Sequence, residues 1–176
     1  MERNTQKKIK LTKKMNDFWL NCRGWPPQSA YKLINEARLD RQLSFAKTLP
    51  EYSIKFSKDV EDAKIILGYA TLRSMSESVI KLFFSVFIED YYKEPLKNKK
   101  TDKEIKPKDI GFDNLIRIYL KHGDSSYKDY LERVQFRGNA IHHFRDRNIG
   151  TQCELIEDIQ IFLNFLLSVD SQLPYP

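Results

Sequence analysis

Residues 136–144 read FRGNAIHHF and bring an arginine close to two histidines. His142 and His143 follow Arg137 by five and six residues, and the whole chain has only three histidines. A histidine can move a proton near neutral pH, and an arginine can stabilise charge on a phosphate. In RNA the 2′-hydroxyl can act as the nucleophile, so a proton carrier and a cationic clamp would suffice for cleavage without a metal. The chain has no GxSxG, Walker or kinase pattern that would indicate other chemistry.

The position of these residues on a helix decides whether they can act together. On a straight helix with about 100° per residue, Asn139 and His142 share a polar stripe, whereas Arg137 lies about 140° from His142. A bend at Gly138, a weak helix former, could bring Arg137 and His142 together. A two-fold dimer could do the same by pairing two copies of the helix. Alternatively, the histidines only make local hydrogen bonds at a surface or a dimer interface.

A metal site is not expected at this stretch. His142 and Asp146 have i, i+4 spacing, but adjacent histidines diverge by about 100° and the sequence offers no third ligand. Cys22 and Cys153 are far apart and form no CxxC pattern, which is typical of a reduced protein. We therefore expect no metal and no cofactor.

Size and composition indicate one globular domain. The chain has 176 residues, 41% hydrophobic and 12% aromatic, which is enough to build a core. The charged first residues contain no apolar region of a secretory signal, and the apolar runs fall short of the ~20 residues of a membrane span. These features predict a soluble cytoplasmic protein without a membrane partner.

Positive charge is concentrated in two segments. Residues 1–14 carry six basic residues and one acid, and residues 93–108 carry seven lysines and three acids. The whole chain has a net charge of +6. Such segments can attract a phosphate backbone, although lysine-rich segments also simply keep proteins soluble. The candidate RNA-binding residues are Lys97, Lys99, Lys100, Lys103, Lys106 and Lys108.

Apolar spacing predicts an all-α bundle of four to five helices. One helix is predicted from about Gln28 to Leu49, and a long central helix from about Asp59 to Tyr92. The central helix has a heptad-like apolar stripe and a second apolar edge, so it is expected to contact several neighbours. Its stripe comprises Ile65, Gly68, Leu72, Met75, Val79, Leu82 and Val86, and its edge Ile80, Phe83, Phe84 and Phe87.

The second half of the chain predicts three more helices. One runs from Asp113 to His122 and ends before Gly123. Capping boxes at Ser126–Asp129 and Thr151–Glu154 open the other two. The first of these two helices has an inner face of Tyr127, Leu131, Val134, Gly138 and Ile141. The inner face of the last helix comprises Leu155, Ile159, Phe162, Leu166 and Val169. We thus expect a basic N-terminal arm with a short helix (1–27) and one helical domain (28–176) with a lysine-rich loop (93–111).

The stretch from Arg137 to His142 resembles the R-x4–6-H motif of the HEPN superfamily (higher eukaryotes and prokaryotes nucleotide-binding). The same motif is also matched when His143 is taken as its final histidine. LRSMSESVIKLFFSVFIEDYY, NAIHHFRDRNIG and LPYP resemble small stand-alone bacterial HEPN-type proteins. The resemblance, over about residues 60–176, implies a helical homodimer whose motif residues line one cleft. Many members look like metal-independent endoribonucleases of toxin–antitoxin or abortive-infection systems, and some are non-catalytic.

The resemblance assigns roles to four residues. Arg137 would hold the scissile phosphate and His142 would be the general acid or base, with His143 as the alternative proton carrier. The family favours a polar residue directly after the arginine, where this chain has Gly138, so Asn139 would take that role. The implied partners are RNA, a second copy of the chain, and an antitoxin or other protein regulator. The alternative function is a non-catalytic dimeric module that binds RNA, a nucleotide or a protein.

Overall fold

Helices account for 73% of the protein in the computed structural model, which describes residues 2–142 and 147–175, with side chains from residue 6. Within these ranges there is no strand longer than an isolated bridge, so the all-α prediction is confirmed. The described residues form eight α-helices rather than four to five. They are α1 (Glu2–Leu20), α2 (Gln28–Glu36), α3 (Leu39–Thr48), α4 (Glu61–Val86), α5 (Ile88–Tyr91), α6 (Phe112–His122), α7 (Lys128–Gly138) and α8 (Gln152–Gln172).

The long helix α4 lies at the centre and packs against α2, α3, α6, α7 and α8. Every residue of its predicted heptad stripe is buried, as are all members of the second edge except the half-buried Phe87. Apolar side chains at that spacing cover two adjacent faces, so neighbours can pack on both. The helix was predicted to reach Tyr92, but it ends at Val86 because Phe87 leaves helical geometry (φ −93°, ψ 40°) before the short α5 begins.

The N-terminal segment is a 19-residue helix that packs against α3 and α8. Met15 and Trp19 of α1 are buried in the core, and so is the side chain of Lys8. Because these positions are seven and four residues apart, they share one face of the helix. The segment that the charge pattern predicted as a basic arm therefore contributes part of the core.

The helix predicted between Gln28 and Leu49 is broken in two. Ala37 is extended (φ −73°, ψ 138°), which separates α2 from α3. Ile34 and Leu39 are both buried, and on one straight helix they would point about 140° apart. The break lets the two side chains enter the same core.

Of the two predicted capping boxes, one is confirmed and one is wrong. Thr151 Oγ1 accepts a hydrogen bond from the Glu154 N–H at 3.3 Å, and Glu154 Oε2 accepts one from the Thr151 N–H at 2.9 Å. At the other site the Asp124 carboxylate accepts from the Ser126 N–H at 3.0 Å and caps a 3-10 turn, Ser125–Tyr127. Since that turn comes first, α7 begins only at Lys128 and has no side-chain cap.

Helix α6 ends at His122 before Gly123, as predicted. No helix among the described residues is both long enough and apolar enough to cross a membrane.

Candidate functional site

The motif stretch begins in the last turn of α7 and continues into a 3-10 turn, Asn139–His142. The change occurs at Gly138, where α7 lies very close to α4. A Cβ atom on Gly138 would sit 2.6 Å from Cβ of Arg73 and 2.9 Å from the backbone oxygen of Tyr69. Any larger residue would push the two helices apart. The polar residue that the HEPN pattern favours at this position therefore has no room here.

Arg137 is buried, with 7% of its surface exposed, and its guanidinium is held by residues of α4 and α8. Nη1 donates to the Tyr69 hydroxyl at 2.6 Å, and Nη2 donates to Oε1 of Glu154 at 2.6 Å. The guanidinium carbon also lies 5.1 Å from the centre of the Tyr69 ring, within the range of a cation–π contact. Gly150, with φ +78°, passes so close that a Cβ there would be 2.5 Å from Nη1.

A second carboxylate, which is buried, extends this network. Asp158, 1% exposed, accepts from Nη2 of Arg133 at 2.6 Å and from the Tyr69 hydroxyl at 3.0 Å. Its Oδ2 also lies 4.0 Å from Nη1 of Arg137. Two arginines thus face two carboxylates around one tyrosine, so the formal charges balance. We call these five residues the Arg137 network: Tyr69, Arg133, Arg137, Glu154 and Asp158.

The pKa values in the Arg137 network follow these contacts. The hydrogen bond from Arg137 lowers the pKa of the Glu154 carboxyl. Burial, with the adjacent Asp158 carboxylate, raises the pKa of the Tyr69 hydroxyl, which therefore stays protonated as a donor. The hydrogen bonds to Asp158 raise the pKa of Arg133. Near neutral pH the network holds α4, α7 and α8 together as a set of ion pairs.

The other predicted site residues lie nearer the surface. His142 is exposed and Asn139 is half-buried, whereas His143 lies outside the described residues. No hydrogen bond joins Arg137 to His142 within the part of the chain that the structure describes. In the described chain Arg137 therefore contacts the half-buried Glu154 and the buried Asp158, whereas His142 faces solvent.

Two apolar side chains are exposed beside His142. Phe136 is 46% exposed and Ile141 is 47% exposed, although Ile141 was predicted to point inward. The inner face predicted for α7 ends where the helix changes to the 3-10 turn after Gly138, and Ile141 lies beyond that point. The Arg147 guanidinium stacks 4.4 Å from the centre of the Phe136 ring.

The lysine-rich loop forms an ordered hairpin between residues 96 and 105. The backbone N–H of Asn98 donates to the oxygen of Lys103 at 2.8 Å, and that of Ile105 donates to the oxygen of Leu96 at 2.8 Å. The Tyr91 hydroxyl anchors the hairpin to α5, since it donates to the Ile105 oxygen at 2.5 Å. All six predicted lysines are exposed: Lys97, Lys99, Lys100, Lys103, Lys106 and Lys108.

Sequence reasoning missed Tyr69, Arg133, Glu154 and Asp158 as partners of Arg137. A signal for some of them was present, because Asp158 directly precedes Ile159 on the apolar stripe of α8. An acid at the edge of a buried stripe usually requires a cationic partner. Arg133 and Arg137 have i, i+4 spacing, as do Glu154 and Asp158, so two such pairs could face each other.

Among the described residues no three histidine, cysteine or acidic side chains are placed to hold a metal ion. Cys22 is buried and Cys153 is exposed, and both are free thiols. No family model, curated protein or solved structure matches this chain.

Proposed function

We propose that this chain is a HEPN-like helical module that binds RNA and acts as a homodimer, with Arg137 serving the fold. The observation that carries the proposal is the ordered hairpin, which presents four exposed lysines on a fixed backbone, with exposed Lys106 and Lys108 directly after it. A preordered cationic surface loses less conformational entropy on binding than a disordered tail would. Phosphate groups are the ligand that such a surface attracts most generally.

The surroundings of Arg137 favour binding over cleavage. To clamp a scissile phosphate, its guanidinium would have to release Glu154 or Tyr69, to which it donates at 2.6 Å. Either release would break a charge-assisted hydrogen bond of the guanidinium, which is of the stronger kind in proteins. Asp158 would lose only a weak contact, because Arg133 holds it independently.

A second candidate function is metal-independent RNA cleavage of the toxin or abortive-infection type. Two observations favour it: His142 is exposed, and the Glu154 side chain that holds Arg137 is itself 44% exposed. A phosphate oxygen could take the place of the Glu154 carboxylate at Nη2 if Glu154 turned to solvent. His142 would then transfer the proton, with Asn139 and His143 in support.

A homodimer is supported by the exposed apolar side chains beside His142. Exposed Phe136 directly precedes the motif and exposed Ile141 lies within it, and apolar surface of this kind is a usual contact between subunits. An antitoxin or another protein regulator could occupy the same surface. Ile141→Asp should shift a dimer toward monomer in sedimentation velocity. Leu67→Asp, at another exposed apolar position, is the matched control.

The function is tested with labelled single-stranded RNA and tRNA. Anisotropy at several salt concentrations measures binding, and gel electrophoresis in EDTA measures cleavage. The binding module predicts salt-dependent binding of intact RNA. Cleavage by the wild type that is lost in His142→Ala would establish the second candidate, since loss of a proton carrier slows a reaction by about 10²–10⁴-fold. Because His142 is exposed, this variant should fold normally. An absence of both binding and cleavage on every RNA would refute the two candidates together.

A further inference from the structure

We infer that one side of the hairpin, and not the other, contacts the RNA backbone, in a crevice formed with helix α6. The inference rests on the proposed function for the identity of the ligand, but the crevice is defined by geometry alone. Its volume is about 490 Å³. The lining residues are Leu96, Lys97, Asn98, Lys99, Lys100 and Ile105 of the hairpin with Asn114 and Arg117 of α6.

The two sides of the hairpin differ in charge. Four cations line the crevice, namely three lysines and Arg117. No carboxylate is part of its lining. The opposite side, a shallow depression of about 580 Å³, has Lys103, Lys106 and Lys108 but also Glu104 and Asp109. A concave surface of one sign concentrates its potential, whereas mixed charges cancel over a few ångströms. The crevice is therefore the stronger site for a polyanion.

The cations of the crevice are mostly free of acidic partners. Arg117 donates through Nη2 to the neutral side chain of Asn114 at 3.2 Å, and Lys97 lies 3.5 Å from Asp102. Lys99 and Lys100 form no salt bridge with any residue that the structure describes. On the opposite side, Lys108 is paired with Glu36 at 2.6 Å, whereas Lys103 and Lys106 form no salt bridge with a described residue. A phosphate bound at Lys99 and Lys100 would relieve repulsion between like charges without breaking an ion pair, and one bound at Lys97 would compete only with the 3.5 Å contact to Asp102.

The turn of the hairpin fixes where these lysines lie. The Asn98 side-chain oxygen accepts from the backbone N–H of Lys100 at 2.9 Å and from that of Thr101 at 3.3 Å. Asp102 completes the turn with φ +53°, a conformation that aspartate tolerates better than most residues. The backbone of Lys99 and Lys100 is thus held above α6, and only their side chains need to be ordered by a ligand.

The surface of α6 extends the crevice along one line. Asn114, Arg117 and Lys121 have i, i+3, i+7 spacing and are all exposed, so they share one face of the helix. The arginine can bind two phosphate oxygens through its planar fork, and the lysines act as point charges for neighbouring phosphates. Leu96 and Ile105 give the crevice an apolar wall against which a ribose can pack. This combination fits a single phosphodiester strand.

The test compares two double variants that remove the same charge from the same lysine-rich loop. Lys99→Gln/Lys100→Gln alters the crevice, and Lys103→Gln/Lys106→Gln alters the opposite side. Binding of the full chain to a labelled unstructured RNA oligomer is measured by anisotropy between 50 and 200 mM salt. We expect the crevice variant to weaken binding about 10-fold more than its control. It should also reduce the slope of log K against log salt by about 1.4, the value for two single-strand phosphate contacts.

Arg117→Gln tests the contribution of α6, with Arg41→Gln on α3 as the control for an exposed arginine. Arg117→Gln should reduce the salt slope by about 0.7, and Arg41→Gln should leave it unchanged. Equal losses in the two double variants would overturn the crevice while leaving RNA binding intact, because net charge alone would then explain affinity. A wild type that binds no RNA would instead refute the proposed function, and with it the ligand assigned to the crevice.

Discussion

Glu154 makes two connections at once: its Oε1 accepts from Arg137 at 2.6 Å, and its Oε2 accepts from the backbone N–H of Thr151 at 2.9 Å. The same carboxylate thus caps the start of α8 and holds the end of α7. An arginine that sequence reasoning assigns to phosphate chemistry is, in the folded chain, part of the connection between two helices.

Replacing Arg137 is expected to destabilise the fold. Arg137→Ala would leave Glu154 and Tyr69 without their donor and would open a gap beside Asp158, at a cost of about 2–4 kcal/mol in the free energy of unfolding. Urea denaturation measures this change. Arg117→Ala, at an exposed arginine, should change stability by less than about 0.5 kcal/mol. A fully stable Arg137→Ala protein would show that the Arg137 network does not support the fold.

Gly138 is expected to reject even a methyl group. Alanine is favoured over glycine in a helix by about 1 kcal/mol, yet its Cβ would lie 2.6 Å from Cβ of Arg73 and 2.9 Å from the Tyr69 oxygen. Because the backbone of α4 cannot give way locally, Gly138→Ala should cost about 1–3 kcal/mol. Gly111→Ala is the control, since no atom lies within 4 Å of its added Cβ. Thermal melts of both variants would measure the difference, and equal melting temperatures would contradict the close packing.

Glu154 is expected to make stability depend on acid pH. Its pKa is lowered in the folded protein, chiefly by the hydrogen bond from Arg137. The folded state then binds fewer protons than the unfolded chain, so this stabilisation is complete above the unfolded pKa of about 4.3 and is lost as pH falls through the folded pKa. Glu154→Gln should flatten the loss of stability below about pH 4.5. Urea denaturation across pH 3–7 tests this, with the exposed Glu157→Gln as the control, and an unchanged acid dependence would contradict it.

Lys8 is expected to reduce stability at neutral pH. Its side chain is fully buried, its Nζ has no hydrogen-bond partner among the described residues, and burial lowers its pKa from 10.5 to about 8. Between these two values the unfolded chain binds the proton and the folded protein does not, so the free energy of unfolding rises with pH across that window.

Lys8→Met should therefore stabilise the protein by about 3 kcal/mol at pH 7, a gain that fades toward pH 10.5. Lys10→Met, at an exposed position of the same helix, should have little effect at any pH. Urea denaturation at pH 7 and pH 10 measures both variants. A loss of stability in Lys8→Met at pH 7 would mean that the ammonium group has a favourable role in the core.

The sequence by itself determined the features that depend on near neighbours in the chain. The apolar stripes of α4 and α8 follow from spacing over one or two turns, and the capping box of Thr151 and Glu154 from two residues three apart. The clustering of lysines between residues 93 and 108 is likewise visible in the sequence alone. Local patterns of this kind act through backbone geometry, which is the same wherever the helix finally packs.

Only the tertiary structure decided what the charged residues contact. Arg137 meets Tyr69, 68 positions away, and Glu154, 17 positions away, and no local pattern specifies such pairings. The break at Ala37 and the outward turn of Ile141 likewise depend on which faces the neighbouring helices occupy. The lysines of the loop divide between two depressions, and of these two only one is also lined by α6. In each case the reason is physical: burial and charge pairing depend on surroundings that residues far apart in sequence create together.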